Sequence, residues 1–139
     1  MKAEVIEEQS DLLKNVFNER EFMLQPFLNG IIEEGEYSLF YFAGQYSHSI
    51  LKQPGLGDFR VQEEHGGQLK SIQPCEEMLT TARHCLAALP ADVLYARIDL
   101  VRHKSEFAVI EIELIEPSLY FNMDAESPQR FVAAFIDMC

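Results

Sequence analysis

The spacing of apolar and polar positions changes period several times along the chain, and each change marks an element. Residues 3 to 20 place Val5, Ile6, Gln9, Leu12, Leu13, Val16 and Phe17 at helical intervals with acids on the other side, which predicts an amphipathic surface helix. The short apolar run FMLQPFL, residues 22 to 28, is broken by Pro26. It leads into YSLFYFAGQYSHSILKQP, where Ala43-Gly44 separates two aromatic-rich segments and predicts a hairpin. Tyr37, Phe40, Tyr41 and Phe42 belong to the sheet core on this reading, and the Gly-rich polar stretch from Gly55 to Gly67 is loop. From Pro74 to Leu89, Met78, Leu79, Ala82, Cys85, Leu86 and Leu89 share one helical face, with Glu76 and Glu77 near the positive end of the macrodipole. Strands over 94 to 102 and 107 to 116 follow, and Ser127-Pro128 opens a last helix carrying Phe131, Val132, Phe135 and Ile136. No repeat or linker interrupts this order. It predicts one α+β domain, residues 1 to 139, with an antiparallel sheet and flanking helices.

The two late strands pose a question of charge. With period two, Tyr95, Arg97, Asp99 and Val101 point one way, and Val109, Glu111, Glu113 and Ile115 form one side of the next strand. An odd loop near Lys104-Ser105 would set Asp99 opposite Glu111; an even loop would separate them. Three carboxylates on one face repel by roughly 1 kcal/mol or more for each close pair at an effective dielectric near 20, unless a cation intervenes. A divalent metal is one explanation. An ordinary solvated face with Arg97 as partner is the other, and the residues alone leave both open.

Composition narrows the field. The 139 residues are 47% hydrophobic, enough for a sizeable core, and no run is long enough to cross a bilayer. A formal net charge of -12 opposes a broad nucleic-acid footprint and favours small ligands or protein partners. Three cysteines, Cys75, Cys85 and Cys139, without C-x-x-C spacing indicate neither a disulfide framework nor a structural zinc site. With no signal peptide in the sequence, the expected compartment is the cytoplasm. His48, His65, His84 and His103 lack ligand spacing, and none is assigned to metal or catalysis.

Four blocks in order carry a family resemblance: EFMLQPFL; GEYSLFYFAGQYSHSILKQPGLGDFRVQEEHGG; YARIDL; and EIELIEPS. Together they resemble the C-terminal half of an ATP-grasp domain, with bacterial glutathione synthetases and ribosomal-protein glutamate ligases as the families most alike. The resemblance covers residues 4 to 137, and its most specific pieces are Gly57-Asp58-Phe59-Arg60 through Gly67 and the twelve-residue step from Asp99 to Glu111. It implies ATP and Mg2+ as cofactors and a ligase that joins a small carboxylate to an amine through an acyl phosphate. Gln25, Pro26, Phe27 and Leu28 would form the hinge strand that holds adenine through backbone groups, and Glu36 would meet the ribose. Lys52 and Arg60 would approach the transferred phosphoryl group, and Asp99, Glu111 and Glu113 would hold magnesium. By base rate Lys52 is a solvent-facing lysine at a strand end, and the plain alternative for Arg60 is to anchor its loop by hydrogen bonds.

Departures from the family pattern also shape the expectation. Glu113 stands where an asparagine is usual, Ser38 where an arginine is frequent, and Gln62 where an asparagine often follows G-D-F-R-x. No N-terminal substrate domain, phosphate-binding lysine pair or second glycine-rich loop precedes Glu21. The chain is therefore expected to be the nucleotide- and Mg-binding part of a ligase, incomplete on its own. The alternative is a non-catalytic ATP-grasp-like binding or interaction module. Self-association, or a missing N-terminal half, would cover its apolar surface; neither nucleic acid nor membrane is expected as a partner.

Overall fold

At Ala43-Gly44 the chain reverses through two residues of positive φ, 44° and 74°, so its twist matches that of the strands it joins. The computed structural model, which describes residues 17–18, 21–23, 25–55 and 67–138, builds five strands around this hairpin. In chain order the elements are α1 (Gly30–Glu33), β1 (Glu36–Phe42), β2 (Gln45–Gln53), β3 (Gln68–Ser71), α2 (Glu76–Ala87), β4 (Tyr95–His103), β5 (Glu106–Glu113) and α3 (Ser127–Met138). The strands lie in the order β3-β2-β1-β4-β5, and every neighbouring pair is antiparallel. The expected α+β class, hairpin and late strands are all present, the strands shifted by one to three residues at their ends. The expected N-terminal helix, apart from Phe17 and Asn18, and most of the Gly-rich stretch, including Arg60, Gln62 and His65, lie outside the described residues.

One sheet face is apolar because α2 covers it. Met78 and Ala82 of α2 pack on Leu39, Tyr41, Ala96, Ile98, Leu100 and Phe107, with Leu79, Cys85 and Leu86 adding to the seam. These are the helical positions the spacing predicts, and burial of such side chains is the main term holding helix to sheet. The opposite face is crossed by the segment that leaves β5. Its Leu119 carbonyl meets His48 of β2, its Tyr120 ring packs edge-on to Phe40 of β1, and the Met123 carbonyl accepts from Ser71 of β3. The strap thus runs from one sheet edge to the other, with Glu116 and Tyr120 in the left-handed region at φ 49° and 48°. Beyond it, Phe131 of α3 closes an aromatic cluster with Phe42, Phe121 and Tyr95.

Two single-residue bulges set the register. In β2 the pairing steps from Phe40↔His48 to Tyr41↔Tyr46, which leaves Ser47 unpaired. In β5 it steps from Asp99↔Glu111 to Leu100↔Val109, leaving Ile110 unpaired. The β4–β5 turn has the even loop, Lys104-Ser105, that would have separated Asp99 from Glu111. The bulge at Ile110 adds the missing residue and restores their opposition. It also moves Val109 to the Leu100 side, so the expected shared face of Val109, Glu111 and Glu113 does not form.

Close backbone approach fixes the entry to the sheet. A Cβ on Gly30 would lie 2.1 Å from the Arg102 carbonyl oxygen, so α1 can rest on β4 only with glycine there. Large apolar side chains remain more than half exposed at Phe22, Met23, Phe27, Ile32, Val132, Phe135 and Ile136. α3 therefore docks through Phe131 and Ala134, while Val132, Phe135 and Ile136 stay exposed. Among the described residues no helix is long and apolar enough to cross a membrane.

These contacts have opposite mutational signs. Gly30→Ala should destabilise the chain by about 1–3 kcal/mol, because the clash is with backbone that cannot rotate away. Ala43→Gly should stabilise it by about 1 kcal/mol by removing the left-handed cost of a Cβ. Urea denaturation of the two variants beside the parent checks both signs.

Candidate functional site

The strap-side face carries an ionic network at its centre. Period-two alternation and the two bulges bring Glu36 and Ser38 of β1, Lys52 of β2, Arg97 and Asp99 of β4, and Glu111 and Glu113 of β5 to this one face. The registers Glu36↔Lys52, Ser38↔Asp99 and Arg97↔Glu113 set polar partners opposite one another, and Asp99↔Glu111 sets two carboxylates side by side.

Asp99 is fully buried, and its oxygens are saturated. Ser38 donates its hydroxyl to Oδ1 at 2.6 Å, Arg97 Nε donates to both oxygens at 3.1 and 3.0 Å, and Arg97 Nη2 reaches Oδ2 at 2.9 Å. Lys52 Nζ stands 3.8 Å from Oδ1 and donates to Glu36 Oε1 at 2.6 Å. A buried carboxylate persists only with such partners, since desolvation alone would cost several kcal/mol. Arg97 Nη2 also pairs with Glu113 and lies 3.5 Å from Glu111 Oε2. One guanidinium nitrogen therefore touches all three carboxylates.

The electrostatics follow from burial and sign. Burial pushes the Glu36 carboxyl above its ordinary value, with Asp99 adding to the rise and Lys52 and Arg97 opposing it. For Arg97 burial works against the charge, but Asp99, Glu113 and Glu111 outweigh it, and the guanidinium is held above its usual range. Four carboxylates face two cationic side chains, so at full ionisation the cluster keeps an excess of two negative charges. One divalent cation would balance that. Asp99, Glu111 and Glu113 each offer an oxygen, all within 4.8 Å of one another, and Glu111 is open to solvent on the β5 side. An all-carboxylate donor set of this kind fits a hard cation such as magnesium.

A second polar chain secures the strap beside this cluster. Arg130 is paired with Asp124 and donates through Nε to Ser47 Oγ at 3.0 Å; Ser47 contacts His48 Nδ1 at 3.0 Å, and His48 Nε2 lies 3.0 Å from the Leu119 carbonyl. A carbonyl can only accept, so the neutral ring carries its proton on Nε2 and takes the Ser47 hydroxyl at Nδ1. Burial lowers the His48 pKa, against the pull of the Leu119 bond. The bulged residue Ser47 is thus a link in this chain as well as a register device.

The structure sorts the expected site residues. It brings Glu36, Lys52, Asp99, Glu111 and Glu113 together. Lys52 is buried, so the solvent-facing reading of it fails: the bulge at Ser47 turns it onto Glu36. Gln25, Pro26, Phe27 and Leu28 are irregular and do not form the expected hinge strand, since Pro26 has no N–H to give a ladder; Gln25, Pro26 and Phe27 are exposed. Phe27 and Leu28 instead border a pocket of about 520 Å³ with Asn29, Glu34, Arg102 and His103, whose lining does not include the carboxylates. Arg60 lies outside the described residues. Two members went unassigned from sequence. Arg97 was visible there only as a possible partner by its parity with Asp99, and Ser38 gave no signal, because its role depends on the β1–β4 register.

No family model matches the chain. A curated protein, the cycloserine biosynthesis protein DcsG of Streptomyces lavendulae, is 31% identical over an alignment of 125 residues, with 83% of this chain and 41% of that protein covered. The crystal structure of D-cycloserine synthetase DcsG superposes with a TM-score of 0.67 at 26% identity, covering 82% of this chain and 41% of its own. D-alanine–D-alanine ligase from Bacillus anthracis matches with a TM-score of 0.61 at 16% identity over 94% of this chain and 46% of its own. The same ligase crystallised with ATP gives 0.58 at 17% identity. The chain spans less than half the length of each of these proteins. The five-stranded antiparallel sheet with its flanking helices is a partial ATP-grasp-type ligase fold.

Proposed function

We propose that the chain is the C-terminal nucleotide- and magnesium-binding part of an ATP-dependent ligase that joins a small carboxylate to an amine. The observation that carries this reading is the trio Asp99, Glu111 and Glu113, with ligand oxygens within 4.8 Å on the ionic face of this fold. The comparisons support a ligase of this fold; the sequence blocks that resemble glutathione synthetases and ribosomal-protein glutamate ligases supply the finer, carboxylate–amine reading. When bound, magnesium would neutralise charge on the ATP phosphates.

The chain's own residues have separate tasks in this reading. Asp99, Glu111 and Glu113 would hold the metal, and Ser38, donating to Asp99 Oδ1, fixes that carboxylate. Lys52, buried next to Asp99, presents a fixed positive charge to the phosphoryl group, where preorganised charge contributes most. Its bond to Glu36 holds the ammonium in place until the ribose takes over that carboxylate. Arg60 would add a second cation, and backbone groups of Gln25 to Leu28 would hold adenine. The acyl phosphate would form when a substrate carboxylate oxygen attacks the γ-phosphorus and ADP leaves, and an amine would then displace phosphate.

Calorimetry with Mg2+ and ADP tests the site. Metal should bind weakly alone and more tightly with nucleotide, and Asp99→Asn with Glu111→Gln should abolish the metal heat. Equal heats from parent and double variant would end the reading.

Lys52→Met should lower stability by about 3–5 kcal/mol, because it leaves Glu36 buried without its cation. Adding Glu36→Gln should recover part of that loss. Thermal melts of the single and double variants measure the coupling, and no recovery would mean the pair is not what holds Glu36 ionised.

As part of a ligase that is incomplete on its own, the chain alone should release no phosphate from ATP when a carboxylate and an amine are supplied together, because phosphoryl transfer needs more preorganised phosphate donors than it carries. A panel of amino acids and short peptides assayed with the chain checks this. Phosphate release that requires both substrates would overturn the expectation and show that the chain turns over by itself.

A further inference from the structure

Arg97 Nη2 occupies the point that a shared cation would take. It lies 2.9 Å from Asp99 Oδ2 and 3.5 Å from Glu111 Oε2 and pairs directly with Glu113. Those are the three residues whose oxygens could ligate one ion. A divalent ion held by these three carboxylates would be brought against the guanidinium that contacts them all, and like charge opposes having both there at once. We infer that Arg97 is a built-in stand-in for the divalent cation, which must leave the carboxylates before metal can enter. This rests on the metal-site reading above.

The surroundings show how the exchange can run. Asp99 is sealed by Ser38 and Lys52 and keeps those partners when the guanidinium departs. Glu111 and Glu113 are more open, with side-chain exposures of 58% and 28%, so the route out lies on the β5 side. Arg97 carries five donors on a long stem, and bidentate recognition of phosphate oxygens suits a guanidinium better than any other side chain. A released Arg97 therefore has a new partner only when a nucleotide's phosphates are present. Metal alone must displace a cation that has nowhere as good to go, whereas metal with nucleotide rehouses it. The arrangement makes the two ligands cooperate through one side chain, and it prevents the empty cluster from holding three unpaired carboxylates.

The test is the binding of Mn2+, used as the metal probe, by the parent chain and by Arg97→Met, with and without ADP. Removing a positive charge about 3 Å from the ligands should tighten Mn2+ binding alone by about tenfold or more. The gain in Mn2+ affinity on adding ADP should be smaller in Arg97→Met than in the parent. Equal or weaker binding of Mn2+ alone by folded Arg97→Met overturns the inference and leaves the metal site standing. No Mn2+ binding by the parent, with or without ADP, removes the site reading itself and the inference with it. A measurement on the parent covers the case in which Arg97→Met does not fold. The Arg97 Nε–H resonance, identified by its loss in Arg97→Lys, should move on saturation with Mg2+ and ADP; an unchanged resonance overturns the exchange.

Discussion

A fully buried aspartate sits at the centre of this sheet, and much of the strap-side face can be understood as the means of keeping it charged. Asp99 needs partners from three directions in a place that water does not reach: Ser38 on β1 and Arg97 on its own strand donate to it, and the Lys52 ammonium on β2 stands 3.8 Å away. Lys52 in turn is buried and requires Glu36. Arg97 is held by β5 through Glu113. Four strands are thereby bound to one another by complementary charge as well as by backbone ladders. Such networks add little net stability compared with an apolar core of the same volume, and they fail abruptly when one partner is removed. A sheet that bears this cost on one face and a mainly apolar seam on the other has divided its work: α2 packs the apolar face, and the opposite face carries the charge.

That division explains which features were legible in the sequence. The α2 seam is mainly hydrophobic, so a 3.6 period exposes Met78 and Ala82 directly, and Ala43-Gly44 marks its hairpin by turn chemistry. The parity of Arg97 and Asp99 is likewise a local property. The pairing of Glu36 with Lys52 and of Asp99 with Glu111 is different in kind, because each lies beyond a bulge. Counting back from either turn without the extra residue gives the wrong neighbour. Neither Ser47 nor Ile110 has a composition that announces a bulge. The opposition of Asp99 and Glu111 was expected only with an odd loop, and the structure reaches it with an even loop and one unpaired residue.

The segment before α1 was harder to read for another reason. Gln25 to Leu28 looks strand-like in composition, yet Pro26 cannot complete a ladder, and Phe27 and Leu28 instead meet the β4–β5 turn across an open pocket. Apolar composition alone does not separate a strand from an exposed apolar stretch. The exposed Phe135 and Ile136 of α3 make the same point in a helix: amphipathic spacing identifies the element, but contact with Phe42 and Phe121 through Phe131 decides which side it buries.

The strap between β5 and α3 joins parts of the sheet that share no ladder. It is pinned at Leu119 to β2 and at Met123 to β3, having left the sheet at its other edge. Edge strands ordinarily fray one at a time, each with its own small opening free energy. Here β5 cannot peel away far without drawing on bonds at the opposite border, and β3 is tied to the same cord. The strap therefore works as a girth around the sheet. Local breathing at either margin becomes a collective motion, and amide protons along both borders should share a common exchange regime even though they lie at opposite limits of the molecule.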